Sequence, residues 1–301
     1  MVSEIAGLRR LDRLQCQPLE RFIPSSFRSD CDARCVAGLL LVNPRSGDDR
    51  PSAEDLRDEA ERRGIRVRLL AKDDDPVELA RQANADALGM AGGDGSLAPI
   101  AAVAIERELP FVVVPFGTRN HFARDIGLDR GDPIGALDAF VKPRERHVDV
   151  GRANGDVFLN NVSLGLYADL VHRRESHRRR GEALARLRAL LLLARNRSTL
   201  GITVDGQPVE THVTLIANND YQLDLFSPGE RERLDEGRLY LYVAHGLLPG
   251  SWEERGGERF VIDSARGQLH AAKDGEPADL ETPLEFTIER QALRVLLPPG
   301  R

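Results

Sequence analysis

Residues 87–96 read ALGMAGGDGS, and they join a short apolar run to a glycine-rich corner. The run Ala87–Met90 suits a buried strand, and a helical pattern follows over Ile100–Glu108. Such a corner presents backbone N–H groups and the positive end of a helix dipole to anionic oxygens. The segment therefore predicts a phosphate loop in which Asp94 is placed to meet a ribose hydroxyl or a metal ion. For the segment alone, a plain glycine-rich turn is the alternative.

The same alternation of strand and helix surrounds this corner. Strands are expected over Val36–Val42, Ile65–Leu70 and Phe111–Val114, and helices over Ser52–Arg63 and Val77–Ala83. Strands that alternate with helices at this spacing indicate right-handed βαβ units and a mostly parallel sheet.

Beyond about Asp149 the pattern changes to closely spaced strand candidates, separated by turn signals such as Asn154-Gly155 and Asp205-Gly206. The candidates are Asp156–Val162, Gly201–Val204, His212–Ala217, Arg238–Ala244, Arg259–Ile262, Gln268–Ala271 and Leu284–Ile288. We therefore expect an α/β domain with a parallel sheet over residues 37–148 and a β-rich, β-sandwich-like domain over residues 149–301. Residues 1–36 lack steady periodicity and are expected to form an N-terminal extension.

The bulk composition narrows the class of protein. A net charge of −6 over 301 residues argues against general nucleic-acid binding, which needs a basic excess. No run approaches the roughly 18 apolar residues of a membrane span, and the N-terminus lacks the apolar core of a secretory signal. Cys16, Cys31 and Cys35 are an odd, clustered set that makes a poor disulfide framework. We expect a cytoplasmic protein.

Two further corners accompany the glycine-rich one. Pro115–Arg124 follows the next predicted strand, and Asn43–Gly47 follows the first. Open parallel sheets bind ligands beyond the carboxyl ends of their strands, so the three corners should face one nucleotide.

Taken together, the three corners resemble the diacylglycerol kinase catalytic family, which includes sphingosine and ceramide kinases and bacterial lipid kinases. The matching segments are the NPxSG-type corner at Asn43–Gly47, the GGDG(S/T) loop at Gly92–Ser96 and the PFGTxNxFAR segment at Pro115–Arg124. The GGDG loop alone is shared with NAD kinases and related phosphofructokinases. The resemblance implies an NAD kinase-like N-terminal domain that binds ATP with Mg²⁺. The nucleotide-binding residues that it implies are Asn43, Pro44, Arg45, Ser46, Gly47, Gly92, Gly93, Asp94, Gly95, Ser96, Thr118 and Asn120.

The resemblance also implies metal ligands at Asp94, Asp149 and Glu236. Bacterial relatives often have an Asp after the Asn of the GTxN segment, in a metal-and-water network with the GGDG aspartate and a later Asp, which corresponds to Asp149. This chain has His121 instead, and an imidazole does not replace a carboxylate for Mg²⁺. Glu236 matches the place where some bacterial members hold a structural magnesium, and a plain hairpin turn is the alternative there.

Asp274-Gly275-Glu276 reads on its own as a common turn. In the family this DGE segment carries the base that accepts the proton of the lipid hydroxyl. The resemblance therefore implies that Glu276 is the catalytic base and that Asp274 orients it or shares the metal.

Residues 172–197 combine clustered arginines with leucines at helical spacing. The segment suits either a helix at an anionic membrane surface or a helix packed on the core. The first alternative would make the protein peripheral at the inner face of the membrane.

We expect a lipid kinase that phosphorylates a lipid alcohol, with diacylglycerol as the first candidate acceptor and phosphatidic acid as its product. The alternatives are a sphingoid-base or other lipid kinase, an NAD kinase-like enzyme and a catalytically silent lipid-binding regulator. A homodimer is left open.

Overall fold

The computed structural model describes residues 37–46, 51–165, 199–221, 223–224, 227–228, 231–245 and 252–300. Its first half alternates strands and helices. The strands are β1 (Gly38–Val42), β2 (Arg66–Leu69), β3 (Ala87–Gly92) and β4 (Phe111–Pro115). The helices are α1 (Ala53–Arg62), α2 (Pro76–Gln82), α3 (Asp94–Glu106), α4 (His121–Asp125), α5 (Pro133–Ala136) and α6 (Asp138–Val141).

Local sequence explains where these elements begin. Ser52 caps α1 in a capping box, since its hydroxyl accepts from the Asp55 N–H while the Asp55 carboxylate accepts from the Ser52 N–H. Asp75 caps α2 by accepting from the N–H groups of Val77 and Glu78. Helix α3 was predicted to begin at Ile100, but it begins at Asp94, inside the glycine-rich corner. Asp94 therefore lies in the first turn of a helix rather than in a loop.

The remaining described elements are strands. They are β5 (Arg144–Ala153), β6 (Asp156–Phe158), β7 (Asn161–Gly165), β8 (Ile202–Val204), β9 (Gln207–Val209), β10 (Val213–Asn218), β11 (Leu223–Asp224), β12 (Ser227–Pro228), β13 (Leu239–Ala244), β14 (Trp252–Gly257), β15 (Arg259–Ser264), β16 (Gln268–Lys273), β17 (Glu276–Glu281) and β18 (Leu284–Leu297).

The strands form a mixed sheet and an antiparallel sheet. The mixed sheet has the order β2-β1-β3-β4-β18-β15-β8-β9, with β5 paired to β18 and β6 to β5. Its strands β1 to β4 are parallel to their neighbours, and β18 joins β4 in parallel but β5 and β15 antiparallel. The antiparallel sheet has the order β14-β13-β10-β7-β16-β17. The predicted fold class is confirmed, including its NAD kinase-like α/β part and β-rich part.

Three cores hold these layers together. Two cover the faces of the parallel strands, one centred on Leu88 and Phe111 and the other on Leu40 and Phe140. The third lies between the antiparallel sheet and the β8, β9 and β15 end of the mixed sheet, with Phe286 at its centre. This face-to-face packing of two sheets is sandwich-like, as expected.

The last strand connects the two predicted domains. β18 starts beside β15 and ends beside β4, so residues 284–297 join the parallel strands of residues 38–115 to the rest of the mixed sheet. The predicted boundary at residues 148 and 149 falls inside β5. The division into residues 1–36, 37–148 and 149–301 stays a prediction. Among the described residues, no helix has the length and apolarity that crossing a membrane requires.

Candidate active site

The glycine-rich corner and the Pro115–Arg124 corner lie in backbone contact. A β-carbon added to Gly117 would lie 2.5 Å from Gly93 Cα and 2.8 Å from Gly93 N, so these two loops approach as closely as they do because residue 117 is a glycine. The first corner joins them through Asn43, whose Nδ2 lies 3.4 Å from Ser96 Oγ. The three corners therefore share one edge of the sheet, beyond the carboxyl ends of β1, β3 and β4.

The carboxylate of Asp94 holds the start of α4. Its Oδ2 accepts from the His121 N–H at 3.1 Å, and its Oδ1 accepts from the Phe122 N–H at 2.9 Å. Oδ1 also accepts from Asn160 Nδ2 at 3.2 Å. Asp94 is buried, so these donors replace the water that its charge would otherwise require.

His121 meets Asp94 through its main-chain N–H. Any residue other than proline can make that contact, so the replacement of the relatives' Asp by His121 leaves this part of the site intact. Burial lowers the pKa of the His121 imidazole, with Arg124 and Arg119 acting in the same direction and Asp94 opposing them. The imidazole is therefore neutral at neutral pH.

Asn120 shapes the second corner. It has a left-handed backbone with φ of 50°, which Asn tolerates better than most residues, and its Nδ2 donates to the Gly117 carbonyl at 2.7 Å. Its Oδ1 is buried, and no hydrogen-bond partner for it is found among the described residues. A buried acceptor of this kind fits a ligand that brings its own donor or a cation.

The DGE segment forms the two-residue turn between β16 and β17. Asp274 and Gly275 both have positive φ, 49° and 84°, which suits a type I′ turn. The Asp274 carboxylate accepts from the N–H groups of Leu159, Asn160 and Asn161 at 2.8, 2.7 and 3.1 Å. Burial raises the pKa of Asp274 to about 6; the three N–H donors oppose that shift and the charge of Asp94 adds to it. Asp274 fixes the hairpin to the bend between β6 and β7.

Glu276 is the first residue of β17, and its side chain lies over the start of α3. A β-carbon added to Gly95 would lie 2.1 Å from Glu276 Cγ and 2.7 Å from Oε1. Glu276 is exposed and borders a cleft of about 280 Å³ between α3 and the hairpin. Ala98, Ala102 and Pro277 supply part of the apolar lining of this cleft.

The predicted metal residues fall into two places. Asp149 is buried, and its two carboxylate oxygens accept from the N–H groups of Gln291 and Gly237 at 2.7 and 2.6 Å, not from the donors that bind Asp94. Glu236 is next to Gly237, and its Oε2 is buried with no hydrogen-bond partner in the described parts of the chain. No three His, Cys, Asp or Glu side chains within the described ranges converge as a cation site. Mg²⁺ can bind through one or two carboxylates plus substrate phosphates, so the assignment of Asp94, Asp149 and Glu236 stays a prediction.

The other predicted nucleotide residues lie along the rim. Pro44, Arg45 and Thr118 are exposed and Ser46 is half-buried. Gly47 and the arginine-rich segment 172–197 lie outside the described residues, as do the three cysteines.

Sequence reasoning missed two residues of this site, Asn160 and Arg231. Asp156–Val162 was predicted as one strand, but it is divided into β6 and β7. At the break, the Asn160 N–H bonds to Asp274 instead of to a neighbouring strand. The paired asparagines at positions 160 and 161, polar residues within an apolar run, were the available signal.

Comparison with known proteins supports the resemblance. Residues 37–153 match the model of the diacylglycerol kinase catalytic domain. A diacylglycerol kinase of Bacillus subtilis is 32% identical over 89 residues, which are 29% of this chain and 29% of that protein. A Klebsiella pneumoniae protein named probable lipid kinase YegS-like is 29% identical over 137 residues, which are 43% of this chain and 45% of that protein. The matches thus span less than half the length of these curated relatives.

The fold extends the likeness over most of the chain. The crystal structure of a diacylglycerol kinase from Bacillus anthracis superposes with a TM-score of 0.62 at 17% identity. It covers 87% of this chain and 97% of that one. The resemblance to the diacylglycerol kinase catalytic family is confirmed.

Proposed function

We propose that this chain, whose residues 37–153 match the diacylglycerol kinase catalytic domain, is an ATP-dependent lipid kinase. It transfers the γ-phosphoryl group of ATP to the hydroxyl of a lipid alcohol. The observation that carries the proposal is the position of Glu276, a carboxylate of the second half of the chain that lies over Gly95 of the glycine-rich corner. A proton acceptor and a phosphate-binding corner in contact are what transfer to a hydroxyl requires.

The nucleotide side of the site is built on α3. This helix has 13 residues and its N-cap is Gly93, which offers no side-chain cap to the first N–H groups. A helix start without such a cap suits phosphate oxygens, because its N–H groups and dipole favour negative charge. The unpartnered Oδ1 of Asn120 beside Gly117 adds an acceptor for a ribose hydroxyl or a cation.

In the proposed reaction, Glu276 takes the proton from the acceptor hydroxyl as its oxygen attacks the γ-phosphorus. The bond from the γ-phosphorus to the β,γ-bridging oxygen breaks, and ADP leaves. Mg²⁺, when bound, would neutralise charge on the phosphate oxygens, and Asp94 within the glycine-rich corner is the carboxylate predicted to hold it there. Asp274 keeps the hairpin and therefore Glu276 in place through its three N–H contacts.

The acceptor class follows from the family likeness and the cleft. The cleft beside Glu276 has Ala98, Ala102 and Pro277 on its apolar side, which suits the apolar part of a lipid, and Asp156 and Lys273 also line it. Diacylglycerol, with phosphatidic acid as product, is the first candidate. Association with an anionic membrane, a position at its inner face and a homodimer stay predictions.

The proposal is tested by incubating the protein with γ-labelled ATP, Mg²⁺ and a panel of acceptors in mixed micelles. The panel holds diacylglycerol, a sphingoid base and NAD. Label in diacylglycerol supports the proposal. Label in the sphingoid base would keep the assignment as a lipid kinase and revise only the identity of the acceptor. Label in NAD alone would establish an NAD kinase-like enzyme, and no label in any acceptor would favour a silent regulator.

A further inference from the structure

We propose that Asn160 and Arg231 are positioning residues that hold Asp94, on the nucleotide side, and Asp274, on the acceptor side, in one fixed arrangement. This inference rests on the proposed kinase function and deepens it. Neither residue belongs to the segments that carry the family resemblance.

Asn160 contacts both carboxylates directly. Its side-chain Nδ2 donates to Asp94 Oδ1 at 3.2 Å, and its main-chain N–H donates to Asp274 Oδ1 at 2.7 Å. Only 3% of the residue is exposed, so solvent does not compete for these bonds. One residue thus connects the glycine-rich corner with the hairpin that carries Glu276.

Arg231 fixes which way the Asn160 amide faces. Its Nη2 donates to Asn160 Oδ1 at 2.7 Å. A guanidinium has only donors and a carboxylate only acceptors, so the amide must turn its oxygen to Arg231 and its NH₂ to Asp94. The donor that reaches Asp94 therefore depends on Arg231.

Arg231 is itself held from several sides. Its side chain is fully buried, and Nε donates to Asp125 Oδ2 at 2.8 Å. Nη1 donates to the carbonyls of Leu159 and Asn218 at 2.7 and 3.0 Å, and the guanidinium carbon lies 5.3 Å from the ring centre of Tyr221. A buried cation with this many partners cannot move without leaving one of them unpaired.

The contacts form a closed ring. Asp94 binds the first N–H groups of α4, and α4 ends at Asp125. Asp125 binds Arg231, Arg231 binds Asn160, and Asn160 returns to Asp94. Arg231 pairs with Asp125, which also pairs with Arg124 at 2.7 Å. Burial acts to lower the pKa of Arg231, but Tyr221, Asp125 and Asp274 outweigh it and raise that pKa. The ring therefore sets the distance between the nucleotide corner and the hairpin.

The test is Asn160→Asp. The new carboxylate keeps the shape of Asn160 and still accepts from Arg231, so the fold should persist. Assayed at a pH where both carboxyls are ionised, it replaces the donor that faces Asp94 with a second acceptor of like charge, and no shared proton restores the bond. A displaced Asp94 should lower kcat by about 10–100-fold, while the KM for the lipid stays within about twofold of wild type. Asn84→Asp makes the same chemical change at an exposed position outside the site and should leave both constants unchanged.

Thermal denaturation of each variant separates positioning from folding. A lowered kcat in Asn160→Asp with a Tm close to wild type supports the inference. If this variant does not fold, Asn160→Ser carries the same test, because it removes the donor to Asp94 without adding charge. A kcat within about twofold of wild type in the folded variant, or a loss of activity that only follows the loss of folded protein, would overturn the inference. An inactive wild type would overturn the proposed function and this inference together, whereas an active wild type with an equally active variant overturns the inference alone.

Discussion

The side chain of Glu276 occupies the space that a side chain on Gly95 would need, with its Cγ 2.1 Å from the position of an added β-carbon. A glycine at this place of the GGDG loop is usually explained by the approach of a phosphate to the backbone. Here the structure gives it a second role, which is to make room for the proposed base at the start of α3.

We predict that Gly95→Ala lowers kcat by about 10–100-fold, because the methyl group must push Glu276 away from its position near the phosphates. Gly95 has no positive φ, so the backbone accepts alanine and the fold should be retained. Gly131→Ala is the matched control, since Gly131 lies in an exposed loop where an added β-carbon meets its nearest atom at 3.4 Å. Equal steady-state rates for the two variants would show that the contact with Glu276 has no catalytic role.

Asp94→Ala should abolish measurable transfer, with a loss of about 10²-fold or more, because the glycine-rich corner loses the carboxylate that binds the start of α4 and Asn160. A carboxylate that served only the phosphates would leave the fold of this variant unaffected. The hydrogen bonds of Asp94 to the start of α4 change that expectation to a cost of about 1–2 kcal/mol in the free energy of unfolding. Urea denaturation and the labelled-ATP assay measure the two effects separately. Retained turnover in Asp94→Ala would remove the nucleotide site from this corner.

The titration of Asp274 predicts a loss of activity in mild acid without unfolding. Burial raises the pKa of Asp274 to about 6, above its usual value of 3.8. A group whose pKa is raised on folding stabilises the folded state fully below its unfolded pKa, and that stabilisation is lost as the pH rises through the folded pKa. Protonation also reduces the capacity of the carboxyl to accept from three N–H groups, which should loosen the hairpin that carries Glu276.

A pH–rate profile with parallel Tm measurements checks this. From about pH 7 to about pH 5, kcat should fall, while protonation of Asp274 by itself favours the folded state. Asp274→Asn has no carboxyl to protonate at this position, so its Tm should no longer gain from proton uptake there as the pH falls. A rate that stays flat across this range, or one that falls only together with the Tm, would contradict the assignment.

The α/β half of the molecule could be predicted from sequence because its signals are local. Apolar runs such as Phe111–Pro115 are buried strands, and the caps at Ser52 and Asp75 begin their helices where the residue types indicate. The adjacency of the glycine-rich corners followed from a general property of parallel sheets.

The rest could not be predicted because it depends on contacts between distant residues. The return of β18 to β4 joins residues 284–297 to residue 111, and nothing in the strand's own pattern specifies its partner. The position of Arg231 is likewise set by Asp125 and Asn160, which lie 106 and 71 residues away in the chain. The sequence therefore predicted residues for the proposed reaction, but not the buried residues that hold them in place.

The proposed lipid kinase activity, with Glu276 as its base, is tested most directly by comparing the wild type with Glu276→Gln. Transfer of label from γ-labelled ATP to diacylglycerol is measured for both proteins, and their ATP affinity is measured by calorimetry. Gln keeps the shape of Glu276 but cannot take the proton. We predict labelled phosphatidic acid from the wild type and a kcat about 10²–10⁴-fold lower for the variant, with nearly equal ATP affinity. A wild type that labels no lipid alcohol would contradict the assignment as a lipid kinase, and a variant kcat within about twofold of wild type would remove Glu276 from the mechanism.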